Sequence, residues 1–149
     1  MLPLRRITTL HLGELLLERK IITKDNLNEA LEIQKEKGGL LGEILVAMGL
    51  VKEEDIAQAL TAQYGFPYLP LSNYEIDARI LNTVPAQVCS QYCFIPVDII
   101  GNNLTLAMGN PLDKKAIEDI ENITGKTVQV YVATPNDIRQ AIEKYYKSQ

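Results

Sequence analysis

The spacing of apolar residues along this chain changes partway through. From Leu12 to Gln63 they recur three and four positions apart, the period of a helix that buries one face. Leu12, Leu15, Leu16 and Ile22 form one such stripe, and Leu27, Ala30, Leu31 and Gln34 continue it after Thr23, a natural N-cap, until Gly38-Gly39 stops the helix. Beyond Gln63 the chain turns aromatic and proline-punctuated, Tyr64-Gly-Phe-Pro-Tyr-Leu-Pro-Leu-Ser-Asn, which predicts an extended connector with Tyr68 and Tyr74 gluing the halves together. Short helices are expected around Ala78 to Leu81 and Ala86 to Tyr92. Strand-like runs then follow, Phe94 to Ile99 and Leu104 to Met108, flanking the turn Gly101-Asn102-Asn103. Asn110-Pro111 opens a helix to about Thr124, Thr127 to Val132 reads as a third strand, and Thr134-Pro135 starts a last helix to Tyr145-Tyr146.

The expected fold is α+β. A tandem helical-hairpin subdomain, residues 1–70, is followed by residues 71–149, a small three-stranded antiparallel sheet packed with helices.

The first half is a duplication. Residues 11–34 align without gaps on residues 40–63, with identities at Leu12/Leu41, Gly13/Gly42, Glu14/Glu43, Leu16/Leu45, Ala30/Ala59, Leu31/Leu60 and Gln34/Gln63. Each unit predicts two helices. Gly49 suits the position just past the third helix, and Glu53, Glu54 and Asp55 load the first turn of the fourth with the charge a helix N-terminus favours. Burial explains the paired leucines. It explains the paired glutamines less well, and a glycine inside a helix costs about 1 kcal/mol unless a close approach or an exposed amide is wanted. Both readings of the Leu-Gly pair stay open here.

Composition narrows the chemistry. The chain has 149 residues and a net charge of −4, and its pI of about 5.0 argues against nucleic-acid binding. No apolar run approaches the ~20 residues of a membrane span, and no signal peptide opens the chain, so a cytoplasmic protein is expected. Cys89 and Cys93, four apart in an expected helix, read as small core residues. His11 is the sole histidine, so multi-histidine metal sites are excluded, and a Cys-His pair would need His11 to meet Cys89 or Cys93 from far along the chain. Gly125-Lys126-Thr127 ends like a phosphate loop, but position 120 is Ile rather than the first glycine, and a helix precedes it where a strand should. No enzyme activity and no metal are expected.

Several segments together carry a resemblance. The tandem Leu-Gly-x-x-Leu … Leu-x-x-Ala-Leu-x-x-Gln units, Gln63-Tyr-Gly-Phe-Pro-Tyr, Ile95-Pro96-Val97, Leu106-Ala107-Met108-Gly109-Asn110-Pro111 and Ile142-Glu-Lys-Tyr-Tyr resemble the N-terminal domain of type II secretion and type IV pilus assembly ATPases. That family includes the MshEN subtype, which binds cyclic di-GMP. The resemblance implies a non-catalytic, cytoplasmic module, associated with the membrane only through its partners. Those partners would be a C-terminal motor ATPase domain and the inner-membrane platform protein of a secretion or pilus system.

It also implies an alternative, a cyclic di-GMP receptor using both repeats. The ligand residues carried over would be His11, Leu12, Gly13, Leu27, Leu31 and Gln34 from the first unit and Leu40, Leu41, Gly42, Ile56, Leu60 and Gln63 from the second. The chain departs from that pattern where charge matters, with His11 and Leu40 at the two arginine positions and Lys20 at a glycine position. Each missing arginine removes a charge-assisted contact of roughly 1.5–3 kcal/mol.

Overall fold

The computed structural model describes residues 9–146, with side chains from residue 12 onward. The first repeat forms α1 (Thr9–Glu18) and α2 (Lys24–Lys37), and the second forms α3 (Leu41–Ala47) and α4 (Glu53–Tyr64). The turn inside each hairpin is copied bond for bond. Lys20 N–H donates to the Leu17 carbonyl and Ile21 N–H to that of Leu16, both at 3.0 Å; Gly49 and Leu50 donate to Val46 and Leu45 at 2.9 and 3.1 Å. These are two Schellman motifs, each with a left-handed residue, Lys20 at φ +60° and Gly49 at φ +77°. Thr23 caps α2 as expected, its hydroxyl accepting from Asn26 N–H while the Asn26 side chain accepts from Thr23 N–H. Lys52, at the matching position, makes no side-chain cap, and α4 instead starts with Glu53, Glu54 and Asp55.

After a 3-10 turn at Leu71–Asn73, the second half contains α5 (Ala78–Leu81), α6 (Ala86–Tyr92), β1 (Phe94–Ile100), β2 (Asn103–Met108), α7 (Lys114–Thr124), β3 (Thr127–Val132) and α8 (Pro135–Tyr146). The predicted hairpin pairs β1 and β2 antiparallel, from Phe94 opposite Met108 to Ile100 opposite Asn103, with a bulge between Pro96 and Asp98. The third strand departs from expectation. β3 lies parallel to β2, Asn103 beside Thr127 through Met108 beside Val132, so the α+β fold carries a mixed sheet rather than a purely antiparallel one. The cause is α7, which carries the chain back along the sheet so that β3 starts at the same end as β2.

Two clusters make up the interior. The repeat leucines surround Leu16, Leu41, Leu45 and Leu60, and this cluster also takes in Leu112 and Val132 from the second half. The other gathers Phe94, Ile95, Leu104, Leu106, Met108 and Ile120 beneath α8, and Leu40 packs against it from the repeat side. The last two tyrosines of α8 secure that helix. Tyr145 Oη donates to the Tyr74 carbonyl and accepts from Ile76 N–H, while Tyr146 Oη lies 3.1 Å from the carbonyls of Leu81 and Val84 and 3.4 Å from Cys89 Sγ.

Two further expectations need correction. Cys93 is not inside a helix with Cys89: it follows the end of α6 in the left-handed region, φ +54°, because the chain must reverse there into β1. Tyr74 does not join the halves, since its hydroxyl donates to the Val97 carbonyl within the second half. The connector joins them through its backbone instead. Pro67 O accepts from Val132 N–H at 2.8 Å and Leu69 N–H donates to Val132 O at 2.9 Å.

Candidate functional site

The two glycines of the repeat lie beneath aliphatic side chains. A Cβ placed on Gly13 would stand 2.7 Å from Leu27 Cδ1, and one on Gly42 would stand 3.3 Å from Ile56 Cδ1. Leu27 and Ile56 occupy the same position of their respective repeats, so each glycine lets the two helices of its hairpin close on one another. Of the two explanations left open by the sequence, close approach is the one the geometry shows.

The structure brings Leu12, Leu40, Leu41, Gly42 and Ile56 together in a narrow crevice between the halves, closed from the other side by Gly109, Asn110, Val132 and Pro135. It has room for little more than one water. Leu12, Leu27, Leu41, Ile56 and Leu60 are core residues, with Leu41 at 1% and Leu60 at 0% exposure. Leu31, Gln34 and Gln63 lie elsewhere. Leu31 is half-buried against the first core. Gln34 Nε2 donates at 2.9 Å to the Gly39 carbonyl in the loop between the repeats, while Gln63 is exposed on the last turn of α4. His11 falls within α1, but its side chain lies outside the described residues.

Glu43 and Glu53 line the crevice, and both reach across to α8. Arg139 forms a two-pronged ion pair with Glu43, and that hydrogen bonding pushes the guanidinium above even its ordinary pKa. Glu53 Oε1 accepts from Asn136 N–H at 2.9 Å, covering an amide of the first turn of α8 that the helix itself leaves unpaired. Nothing in the sequence marks these contacts, which span 96 and 83 residues; only the expected helix start at Pro135 hinted that an amide there needed a partner.

The remaining chemistry is structural. Asn110 is buried, and its side chain accepts from Leu112 N–H at 3.2 Å, holding the turn that leads to Asp113, the N-cap of α7. Burial raises the thiol pKa of Cys89 to about 11 and that of Cys93 to about 12, so neither is a nucleophile at neutral pH. Gly125 terminates α7 at φ +69°, with Lys126-Thr127 entering β3, the reverse of a phosphate loop's strand-to-helix order. Among the described residues no cluster of His, Cys, Asp and Glu is placed to hold a metal ion. No helix there is long and apolar enough to cross a membrane.

A duplicated helical hairpin packs against an α+β unit, and part of the repeat motif, Leu12, Leu40, Leu41, Gly42 and Ile56, lines the seam between them. The profile of the MshEN domain matches residues 64–149, and the chain belongs to that family, found at the N-terminal side of type IV pilus and type II secretion ATPases. The type IV pilus assembly ATPase PilB of Myxococcus xanthus is 34% identical over 135 residues, which cover 91% of this chain and 24% of that protein. This chain therefore spans about a quarter of that relative's length. A solved structure of MshE with cdg superposes with a TM-score of 0.70 at 26% identity, covering 91% of this chain and 98% of that one. The N-terminal domain of XpsE gives a TM-score of 0.64 at 27% identity, covering 91% and 95% respectively.

Proposed function

We propose that this chain is the non-catalytic docking and regulatory domain of a type IV pilus or type II secretion motor ATPase, binding the cytoplasmic part of the inner-membrane platform protein. The observation that carries this reading is the match over nine-tenths of the chain to a pilus assembly ATPase, and the likeness to the N-terminal domain of XpsE supports it. The seam supports it: Glu43 and Glu53 on the repeat side are engaged by Arg139 and the Asn136 amide of α8, so the two halves can be presented to a partner as one surface. Such a module works in the cytoplasm and reaches the membrane through its partner. Calorimetric titration against the cytoplasmic domain of the cognate platform protein tests the proposal. Saturable binding in the micromolar range is expected, and no heat at about 1 mM, a limit near −4 kcal/mol, overturns it.

A second reading, a cyclic di-GMP receptor using both repeats, is favoured by the likeness to MshE with cdg. The site would draw on His11, Leu12, Gly13, Leu27, Leu31, Gln34, Leu40, Leu41, Gly42, Ile56, Leu60 and Gln63. Against it stand the leucine and histidine at the arginine positions, the burial of most of the aliphatic set and the Gln34 bond to Gly39. Calorimetry with the dinucleotide separates the readings. A heat signal lost in Gln34→Ala supports the receptor, and silence at millimolar ligand removes it.

A further inference from the structure

Along α4, next to the crevice with which it shares Ala57, residues Glu54, Ala57, Gln58, Thr61 and Ala62 form the floor and rim of an apolar groove of about 330 Å³, walled by Tyr68. Three features make this more than a dent in the surface. Tyr68 is 43% exposed, yet its backbone is clamped to Val132 on both sides and lies between Pro67 and Pro70, so the ring is displayed on a stiff support. The floor is apolar but open: Ala57 is buried, Ala62 exposed, and the buried Thr61 hydroxyl finds no hydrogen-bond partner among the described residues. A second cleft shares Tyr68 and Glu54 with the groove, and its charged lining is four carboxylates, Glu53, Glu54, Asp55 and Asp137, and one lysine, Lys52.

We infer that this groove is the seat of a basic amphipathic segment of a partner protein, its aliphatic side chains on the alanine floor and its Arg or Lys residues over Tyr68 toward Glu54, Asp55 and Asp137. This deepens the docking reading above and rests on it. Charge complementarity selects the occupant. An aromatic face flanked by carboxylates attracts a guanidinium or ammonium group twice, through the ring and through the ions. The Tyr68 phenol already feels that field, held above its usual pKa first by burial and then by Asp137 and Glu54. The same carboxylates repel nucleic acid and anionic lipid, and the alanines leave space for leucine-sized side chains. Glu53 is committed to the α8 amide, so Glu54, Asp55 and Asp137 carry the attraction.

Backbone amide spectra of the ¹⁵N-labelled full chain, titrated with a synthetic amphipathic peptide bearing leucines on one face and arginines on the other, test the assignment. Shifts are expected at Ala57, Gln58, Thr61, Ala62 and Tyr68. Affinity should fall at least tenfold in Tyr68→Ala and in Glu54→Lys/Asp137→Lys, each confirmed folded by its melting curve, and should fall again at high salt. Unmoved groove amides, or equal binding of the glutamate-for-arginine peptide, overturn the inference. So does a concentration-dependent dimer that disappears in Tyr68→Ala, because a second copy would then be the occupant. Repeating the titration with the platform protein separates the two readings. Equal binding to wild type and to Tyr68→Ala/Glu54→Lys sinks the groove and keeps docking, whereas no binding to wild type sinks docking while the peptide result still decides the groove.

Discussion

Arg139 on α8 and Glu43 on α3 meet across the seam in two parallel hydrogen bonds, 2.9 Å from Nε to Oε2 and 2.8 Å from Nη2 to Oε1. The fork geometry suits arginine in particular and ties the repeat half to the last helix. The arginine side chain is 46% exposed and the glutamate 29%, so solvent screens much of the attraction. A double-mutant cycle of Glu43→Gln and Arg139→Gln, read by urea unfolding, should give a coupling of about 0.5–1 kcal/mol at low salt that shrinks as salt is added. Strict additivity of the two single changes would show that the pair contributes nothing.

The repeat glycines should not respond alike to substitution. Gly13→Ala forces a methyl to 2.7 Å from the buried Leu27, whereas Gly42→Ala meets Ile56 at 3.3 Å, a gap that a small side-chain shift can absorb. Overpacking costs about 1–3 kcal/mol, offset by about 1 kcal/mol of helix propensity gained with alanine. Thermal melts should therefore show Gly13→Ala clearly destabilised and Gly42→Ala close to neutral. The reverse order would mean that Leu27 moves more freely than its burial suggests.

Lys20 and Gly49 hold the same left-handed position 29 residues apart, and only one of them is suited to it. A lysine there bears about 1–2 kcal/mol of steric cost, while glycine gives part of that back through a freer unfolded chain. Lys20→Gly is expected to stabilise by roughly 0.5 kcal/mol and Gly49→Ala to destabilise by about 1 kcal/mol. For a chain of this length that amounts to shifts of a few degrees in opposite directions.

Cys89 and Cys93 give the protein an alkaline limit. Burial lifts their pKa values from 9.0 to about 11 and about 12, so the folded state favours the protonated thiols. That contribution is complete below pH 9 and is lost as pH rises through 11 and 12. Stability measured by denaturant should be flat in this respect up to pH 9 and fall above it, and less steeply in Cys93→Ala. Iodoacetamide should modify the native protein at pH 8 far more slowly than the unfolded one, and equal rates would contradict the buried placement.

The helical half could be read from the sequence because its signals are local. Thr23, Gly38 and the three acidic residues after Lys52 each act within a turn of where they stand. Gly101-Asn102-Asn103 likewise announced the β1–β2 hairpin. Strand direction is not written in a strand, and β3 runs parallel because of where α7 delivers it. The roles of Gly13 and Gly42 stayed open because spacing alone does not place Leu27 or Ile56 above them. Gln34 illustrates the same limit: the repeat marked it as unusual, but its bond to Gly39 depends on how the loop between the repeats closes. The residues that join the halves, Glu43, Glu53 and Arg139, are ordinary surface charges until the fold sets them face to face.

Val132 belongs to three structures at once. It ends β3, its backbone is bonded to the connector at Pro67 and Leu69, and its side chain completes the core of the repeats together with Leu112. A fragment cut at the connector would lose both residues and open a void among the repeat leucines, at a cost of about 2–5 kcal/mol for a deletion of that size. These shared contacts predict that the two halves unfold together, so hydrogen exchange at the Val132 amide should proceed only through global unfolding, and exchange through separate opening of either half would contradict that.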